Sequence, residues 1–170
     1  EEAIAGALDI IAENISDNAD YRKNIKRFTY RDGLIETKAT KPEEKSNYEM
    51  YYDFSEEIRK IPSHRILAIN RGEKEEFLKV KLSKPEDKIL YYIEKDIIKG
   101  ETQFTEILKD TILDSFKRLI ESSIEREIRS DLTEKAEEQA IKVFGENAKQ
   151  LLLGAPLKDL VVMGFDPAYR

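Results

Sequence analysis

The chain has 170 residues, 38% of them charged and 40% hydrophobic, and a formal net charge of −6, a globular balance with length enough for one sizeable core. It holds no Cys and a single His, His64, which excludes disulfides, thiolate chemistry and two-histidine zinc motifs. A negative total also disfavours a surface that coats nucleic acid throughout.

Composition therefore predicts a soluble intracellular chain without a metal centre. The sequence opens Glu1-Glu2-Ala3 without a Met, with neither a secretory leader nor an apolar run near the roughly 20 residues needed to span a bilayer. At the other end Leu160-Val161-Val162-Met163-Gly164-Phe165 reads as a strand running into Asp166-Pro167. The expectation is a segment of a longer polypeptide that stops just inside a second domain.

In chain order, Ile4, Leu8, Ile11 and Ile15 share one face of a helix over residues 3–15. Asp17 or Asn18 caps a second helix carrying Tyr21, Ile25 and Phe28. Gly33 falls near its end, and residues 34–40 read as a continuation of helix, with a short strand as the alternative. Residues 41–47 are a polar connection, with Pro42 discouraging helix at Lys41. Tyr48, Tyr51 and Tyr52 fit one helical turn, which Asp53-Phe54-Ser55 breaks. Pro62 suits the first position of a helix reaching about Glu76, and Gly72 within it points to close packing or a bend. Residues 77–82 alternate as an interior strand. Residues 86–98 are helical through Ile89, Leu90, Ile93 and Ile97, with a strand conceivable at Tyr91 and Tyr92. Phe104, Leu108, Ile112, Phe116 and Leu119 then make an unbroken helical stripe. Ser122-Ser123-Ile124-Glu125 has the form of a capping box and predicts a fresh helix start. Thr133 caps or lies within a further helix bearing Ala136, Ala140, Phe144, Ala148 and Leu152, ended by Gly154 and Pro156. The fold expected is mainly α, a multi-helical domain with a few short strands.

Charge is uneven along the chain. Residues 57–84 hold eight Lys or Arg against four Glu, and residues 21–45 hold eight against four acidic residues. Residues 101–170 hold ten basic against fourteen acidic, so the acidity lies in the long helices. A basic face that tracks phosphates and a solvated mixed-charge surface are both compatible with this pattern. Ser63, His64 and Arg65 at a helix start can offer free amides to a phosphate, and Arg71 lies seven residues beyond His64, on the same face. Ser63 as a simple cap and the arginines as internal ion-pair partners are the alternatives. Tyr48, Tyr51, Tyr52 and Phe54 either stack bases or, as their spacing favours, pack in the core. Glu125, Glu127, Glu134, Glu137 and Glu138 read as an outer helix face. Asp166 alone cannot assemble the converging carboxylates that metal-dependent phosphodiester chemistry needs.

Three stretches carry a family resemblance: Tyr51-Tyr52-Asp53-Phe54-Ser55-Glu56, Lys60-Ile61-Pro62-Ser63-His64-Arg65-Ile66-Leu67-Ala68-Ile69-Asn70-Arg71-Gly72-Glu73 and Leu132-Thr133-Glu134-Lys135-Ala136-Glu137-Glu138-Gln139-Ala140-Ile141. In this order the chain resembles the central region of the Tex family of RNA-binding transcription accessory proteins. Val162-Met163-Gly164-Phe165-Asp166-Pro167 is similar to the first strand of the RNase-H-like (YqgF-type) domain that follows in that family. There the pattern continues Asp-Pro-Gly, whereas Ala168 stands here, which argues against catalysis at Asp166.

The resemblance implies a central helical domain over residues 1–157 and the opening of the RNase-H-like domain over 158–170. It implies a longer cytoplasmic protein that also carries helix-hairpin-helix elements and a C-terminal OB-fold RNA-binding domain. That protein would bind RNA or DNA, act around the transcription machinery, and have no enzymatic activity, cofactor, metal or membrane partner. Within this chain the expected role is a helical scaffold with a secondary phosphate-contacting surface made by Arg59, Lys60, His64, Arg65, Arg71 and Lys74. The alternative is an interaction module that docks neighbouring domains or transcription proteins without touching nucleic acid.

Overall fold

Apolar residues at helical spacing dominate the chain, and helices dominate the computed structural model, which describes residues 2–155, 158 and 160–166. The elements run α1 (Glu2–Asp17), α2 (Ala19–Asp32), β1 (Leu34–Ala39), β2 (Asp53–Glu57), α3 (Ser63–Lys74), β3 (Leu78–Ser83), α4 (Glu86–Ile97), α5 (Thr105–Asp114) and α6 (Glu121–Leu152). Asn18 caps α2, its side-chain oxygen accepting from the amides of Asp20 and Tyr21 at 2.9 and 3.1 Å. The domain is mainly α, as the sequence predicts.

Residues 34–40 are the first departure. They form β1, the central strand of an antiparallel sheet ordered β2-β1-β3. Glu36, Lys38 and Ala39 are good helix formers, but Ile35 and Thr37 fit a buried strand face, and pairing on both sides decides. Ile35 lies opposite Leu82 and Thr37 opposite Val80, all turned inward. Gly33 makes the handover from α2 possible. A Cβ there would come 2.3 Å from the Thr29 carbonyl and 2.8 Å from that of Ser83, so only glycine lets the chain pass. The residues expected to be a break, Asp53-Phe54-Ser55, belong to edge strand β2.

The second departure is at Ser122-Ser123-Ile124-Glu125, where no helix restarts. α5 runs through a π-helical segment (Ser115–Ile120) directly into α6. Ile112, Phe116, Ile120, Ile124, Ile128, Leu132 and Ala136 continue at steps of four, all buried. Burial of that stripe outweighs a local capping signal, whose residues are used elsewhere. Ser123 Oγ donates to the Ile120 carbonyl at 2.8 Å, and Glu125 accepts from Lys84 Nζ at 2.9 Å. Thr133 lies within the helix and donates back to the Arg129 carbonyl at 2.8 Å. The π segment is tied to α1 where Ser115 Oγ donates to the Ala12 carbonyl at 2.6 Å.

One continuous core joins these parts: Ile25, Ile35, Ile58, Ile66, Ile69, Leu82, Ile89, Ile93 and the α5–α6 stripe. α3 is seated by Gly72, which is buried against Leu78 and Tyr48. The turn after it is a Schellman motif. The Phe77 amide donates to the Gly72 carbonyl at 2.9 Å and Glu76 takes a positive φ of 62°. Lys84 is nearly inaccessible, its side chain 2% exposed, and bonds both Glu121 and Glu125 at 2.9 Å. Burial opposes its charge, but the two carboxylates outweigh burial and hold its pKa above the ordinary lysine value.

The distal part of α6 leaves the core: beyond Ala136 every residue to Leu152 except Ala148 is exposed. α6 ends just before Leu153 and Gly154, while Pro156 lies outside the described residues. Leu160-Val161-Val162-Met163-Gly164-Phe165, expected as a strand, is exposed and forms no strand among the described residues. A strand takes its hydrogen bonds from a neighbour, and the sheet of β1, β2 and β3 does not supply one. Pro167 and Ala168 also lie outside the described residues.

Candidate nucleic-acid interface

The predicted phosphate-contacting residues lie on α3 and on the turn leading into it from β2. Ile58, 1% exposed, anchors that turn in the core. Pro62, with φ −74° and ψ 150°, occupies the N-cap of α3 rather than its first helical position. Ser63 does not cap. Its hydroxyl reaches across to α6 and donates to Gln139 Oε1 at 2.6 Å.

Within this frame the six residues separate into two groups by their partners. Arg59 Nε and Lys60 Nζ share Glu57, at 2.9 and 2.6 Å. The Lys60 contact first and the Arg59 contact second hold the Glu57 carboxyl below the usual glutamate range. Arg65 Nη1 meets Glu56 Oε2 at 2.8 Å, and its guanidinium carbon lies 5.7 Å from the Phe54 ring centre. These three cations are largely compensated from within the domain. Arg71 and Lys74, in the last turn of α3, are exposed and make no ion pair with a described residue. Their charge also suits the negative end of the helix dipole. His64 is exposed on the first turn of α3 and lines a groove against α6. On the side of α3 that meets α6, Asn70 Nδ2 donates to Thr133 Oγ1 at 2.8 Å, and Glu73 is bonded by Arg129.

The basic run over residues 21–45 does not extend this surface as one face. Arg22 and Lys26 turn to α6, where Arg22 meets Glu127 at 3.1 Å and Lys26 meets Asp131 at 2.8 Å. Arg31 pairs with Asp32 at 2.8 Å, and Lys88 joins the same carboxylate at 2.7 Å. Those two contacts, Arg31 first, hold Asp32 well below the ordinary carboxylate range.

Lys38 stands directly opposite Lys79 on the outer face of the sheet, and Lys81 lies opposite Glu36. None of these three lysines has an ion pair with a described residue. Alternation over residues 77–82 already put Lys79 and Lys81 on one face. Bringing Lys38 beside them required β1 to be a strand.

The aromatic residues serve the core rather than a base-stacking platform. Tyr48 and Tyr51 are 8% and 5% exposed. Tyr48 packs on Phe77 with ring centres 5.8 Å apart, and Tyr51 meets Phe54 edge-on at 5.3 Å. Glu125 and Glu127 are engaged with Lys84, Arg22 and Lys26, whereas Glu134, Glu137 and Glu138 are exposed as expected. Among the described residues no three His, Cys, Asp or Glu side chains cluster as metal ligands, and no helix is long and apolar enough to cross a membrane.

Fold and surface together define a mainly helical domain with a small antiparallel sheet, a projecting final helix and a local cluster of cations on α3. The chain belongs to the Tex central region-like family, whose model matches residues 1–144. It is 53% identical to the YdcI protein of Bacillus subtilis, over all of this chain and 24% of that protein. It is 33% identical to the human S1 RNA-binding domain-containing protein 1, over 97% of this chain and 18% of that protein. With the transcriptional accessory protein Tex of Neisseria gonorrhoeae it shares 32% identity, over 99% of this chain and 23% of that protein. The chain thus spans a quarter or less of the length of these relatives, and the family includes proteins named for transcription and for an RNA-binding domain.

Proposed function

We propose that this chain is the helical scaffold of a nucleic-acid-binding transcription accessory protein, and that its own contribution to binding is a secondary phosphate contact centred on Arg71 and Lys74. The reading takes RNA or DNA as the polymer, the cytoplasm as the setting and no catalytic step. Residues 158–170 then open a following RNase-H-like domain, and the main nucleic-acid affinity lies elsewhere in the longer polypeptide. One observation carries the choice of residues: Arg59, Lys60 and Arg65 are each ion-paired with Glu57 or Glu56, whereas Arg71 and Lys74 are exposed and form no ion pair with a described residue. A phosphate gains more from a free cation than from one that must first give up a carboxylate.

The test is fluorescence anisotropy of labelled single-stranded RNA and DNA with this chain across a salt series. Replacing both residues, Arg71→Gln with Lys74→Gln, should weaken binding and reduce the slope of log K against log salt by about 1.4, two phosphate contacts at ~0.7 each. The pair Arg59→Gln with Lys60→Gln should change it less. Binding without salt dependence, or an unchanged slope in the first pair, would refute the assignment.

A second reading, docking of another protein, is favoured by the apolar side chains that the outer half of α6 carries in solvent, among them Ile141, Phe144, Leu151 and Leu152.

A further inference from the structure

Ala136 and Ala140 keep one side of α6 shallow opposite the start of α3, and this opens a groove of about 620 Å³. Its α6 wall runs from Leu132 to Asn147, about 22 Å at 1.5 Å per residue. The opposite wall is Ile58, Pro62 and Leu67, with Tyr30 alongside. Val143 and Phe144 are 50% and 74% exposed at the distal end. The Ser63–Gln139 hydrogen bond joins the two walls.

Charge around the groove is one-sided. Arg59 and Lys135 line it, and among the described residues no Asp or Glu does. Lys135 is exposed and has no ion pair with a described residue. Arg59 shares its only carboxylate with Lys60, so that cluster retains one net positive charge. The neighbouring depression on α6 contrasts with it, since Glu134 and Glu137 line that one beside Arg126 and Arg129.

We infer that this groove docks an acidic amphipathic helix of a separate partner protein. Apolar side chains at helical spacing would enter between α3 and α6, and flanking carboxylates would meet Lys135 and Arg59. Length selects a helix over a compact ligand, because four turns of α6 form the wall. A chain extended along the same wall would leave backbone donors facing an apolar surface, whereas a helix satisfies its own. The unpaired Lys135, with the surplus charge of Arg59 and Lys60 over Glu57, selects acidic flanks over basic ones. The inference stands apart from the phosphate contact at Arg71 and Lys74, which lie outside the groove.

The experiment uses this 170-residue chain and a fluorescein-labelled synthetic peptide of about fifteen residues, a length matched to the wall. The peptide has Leu and Phe at i, i+3, i+4 and i+7 with Glu on both flanks, and its counterpart carries Lys in place of every Glu. Anisotropy should show the acidic peptide bound at least tenfold more tightly than the basic one. Lys135→Glu should reverse that preference, Phe144→Ser should weaken binding about tenfold, and Tyr91→Ser, exposed on α4 outside the groove, should leave it unchanged. Circular dichroism confirms that each variant folds. Equal binding of the two peptides, no binding of either, or insensitivity to both Lys135→Glu and Phe144→Ser would overturn the inference. So would sedimentation showing a dimer that Phe144→Ser dissolves, since the occupant would then be a second copy of this chain.

Discussion

Gly72→Ala should destabilise the domain, against the usual benefit of replacing a helical glycine. In an open helix interior the change gains about 1 kcal/mol, because alanine loses less backbone freedom on folding. At Gly72 an added Cβ would lie 2.7 Å from Leu78 Cδ1, 3.0 Å from Leu78 Cγ and 3.1 Å from Tyr48 Cδ1. Leu78 is 2% exposed and Tyr48 is 8% exposed, so neither can swing into solvent to make room. Forcing a methyl into such a site costs roughly 1–3 kcal/mol, leaving a net loss of about 1 kcal/mol. Gly145, also helical but exposed on α6, provides the control, since nothing stands within 4 Å of its added Cβ. Gly145→Ala should stabilise whatever unit α6 belongs to by about 0.5–1 kcal/mol. Urea unfolding followed by circular dichroism measures both, and the two midpoints should move in opposite directions. A raised midpoint for Gly72→Ala would show that α3 does not sit against β3 as closely as described.

Two further perturbations test the packing beneath the site. Lys84→Met leaves Glu121 and Glu125 facing each other without the ammonium that joins them, so urea unfolding should show a loss of about 1–3 kcal/mol; a change under 0.5 kcal/mol would mean the cluster does not bind α6 to β3. The Tyr21 phenol is pushed up to about 12, first by burial and then by its hydrogen bond to Asp96 at 2.6 Å. A neutral phenol held above its unfolded pKa of about 10 stabilises the fold fully below that pH, and the contribution is lost as pH rises towards 12. Tyr21→Phe should therefore lower stability near neutral pH and flatten its fall between pH 10 and about 12, and ultraviolet titration of the parent chain should show one tyrosine titrating last.

Most helices were legible in the sequence because their apolar spacing is strong and local. Asn18, Tyr21 and Ile25 mark α2, and the i+4 stripe from Ile112 to Ala136 marks the long final helix. Two local signals misled. The helix formers of residues 34–40 are overruled by sheet pairing on both sides, and the Ser122–Glu125 pattern is overruled by continuous burial across it. The candidate site was legible as composition but not as geometry. Arg59, Lys60, Arg65, Arg71 and Lys74 are all basic in the sequence, yet three of them are ion-paired with the nearby Glu56 and Glu57, and two form no ion pair with a described residue. Lys38 could not be placed beside Lys79 until β1 was known to be a strand.

The sequence alone determined the family, the helical class and the local excess of positive charge around α3, because these depend on residue identity and on spacing within a few turns. Tertiary structure decided which charges remain free, which aromatic residues disappear into the core and where α6 leaves the domain to form an apolar groove. Ion pairing and burial are properties of residues brought together from distant parts of the chain. The net charge of −6 is an average over surfaces that differ in sign, and only the fold puts Lys135 and Arg59 around an apolar groove that no described carboxylate lines.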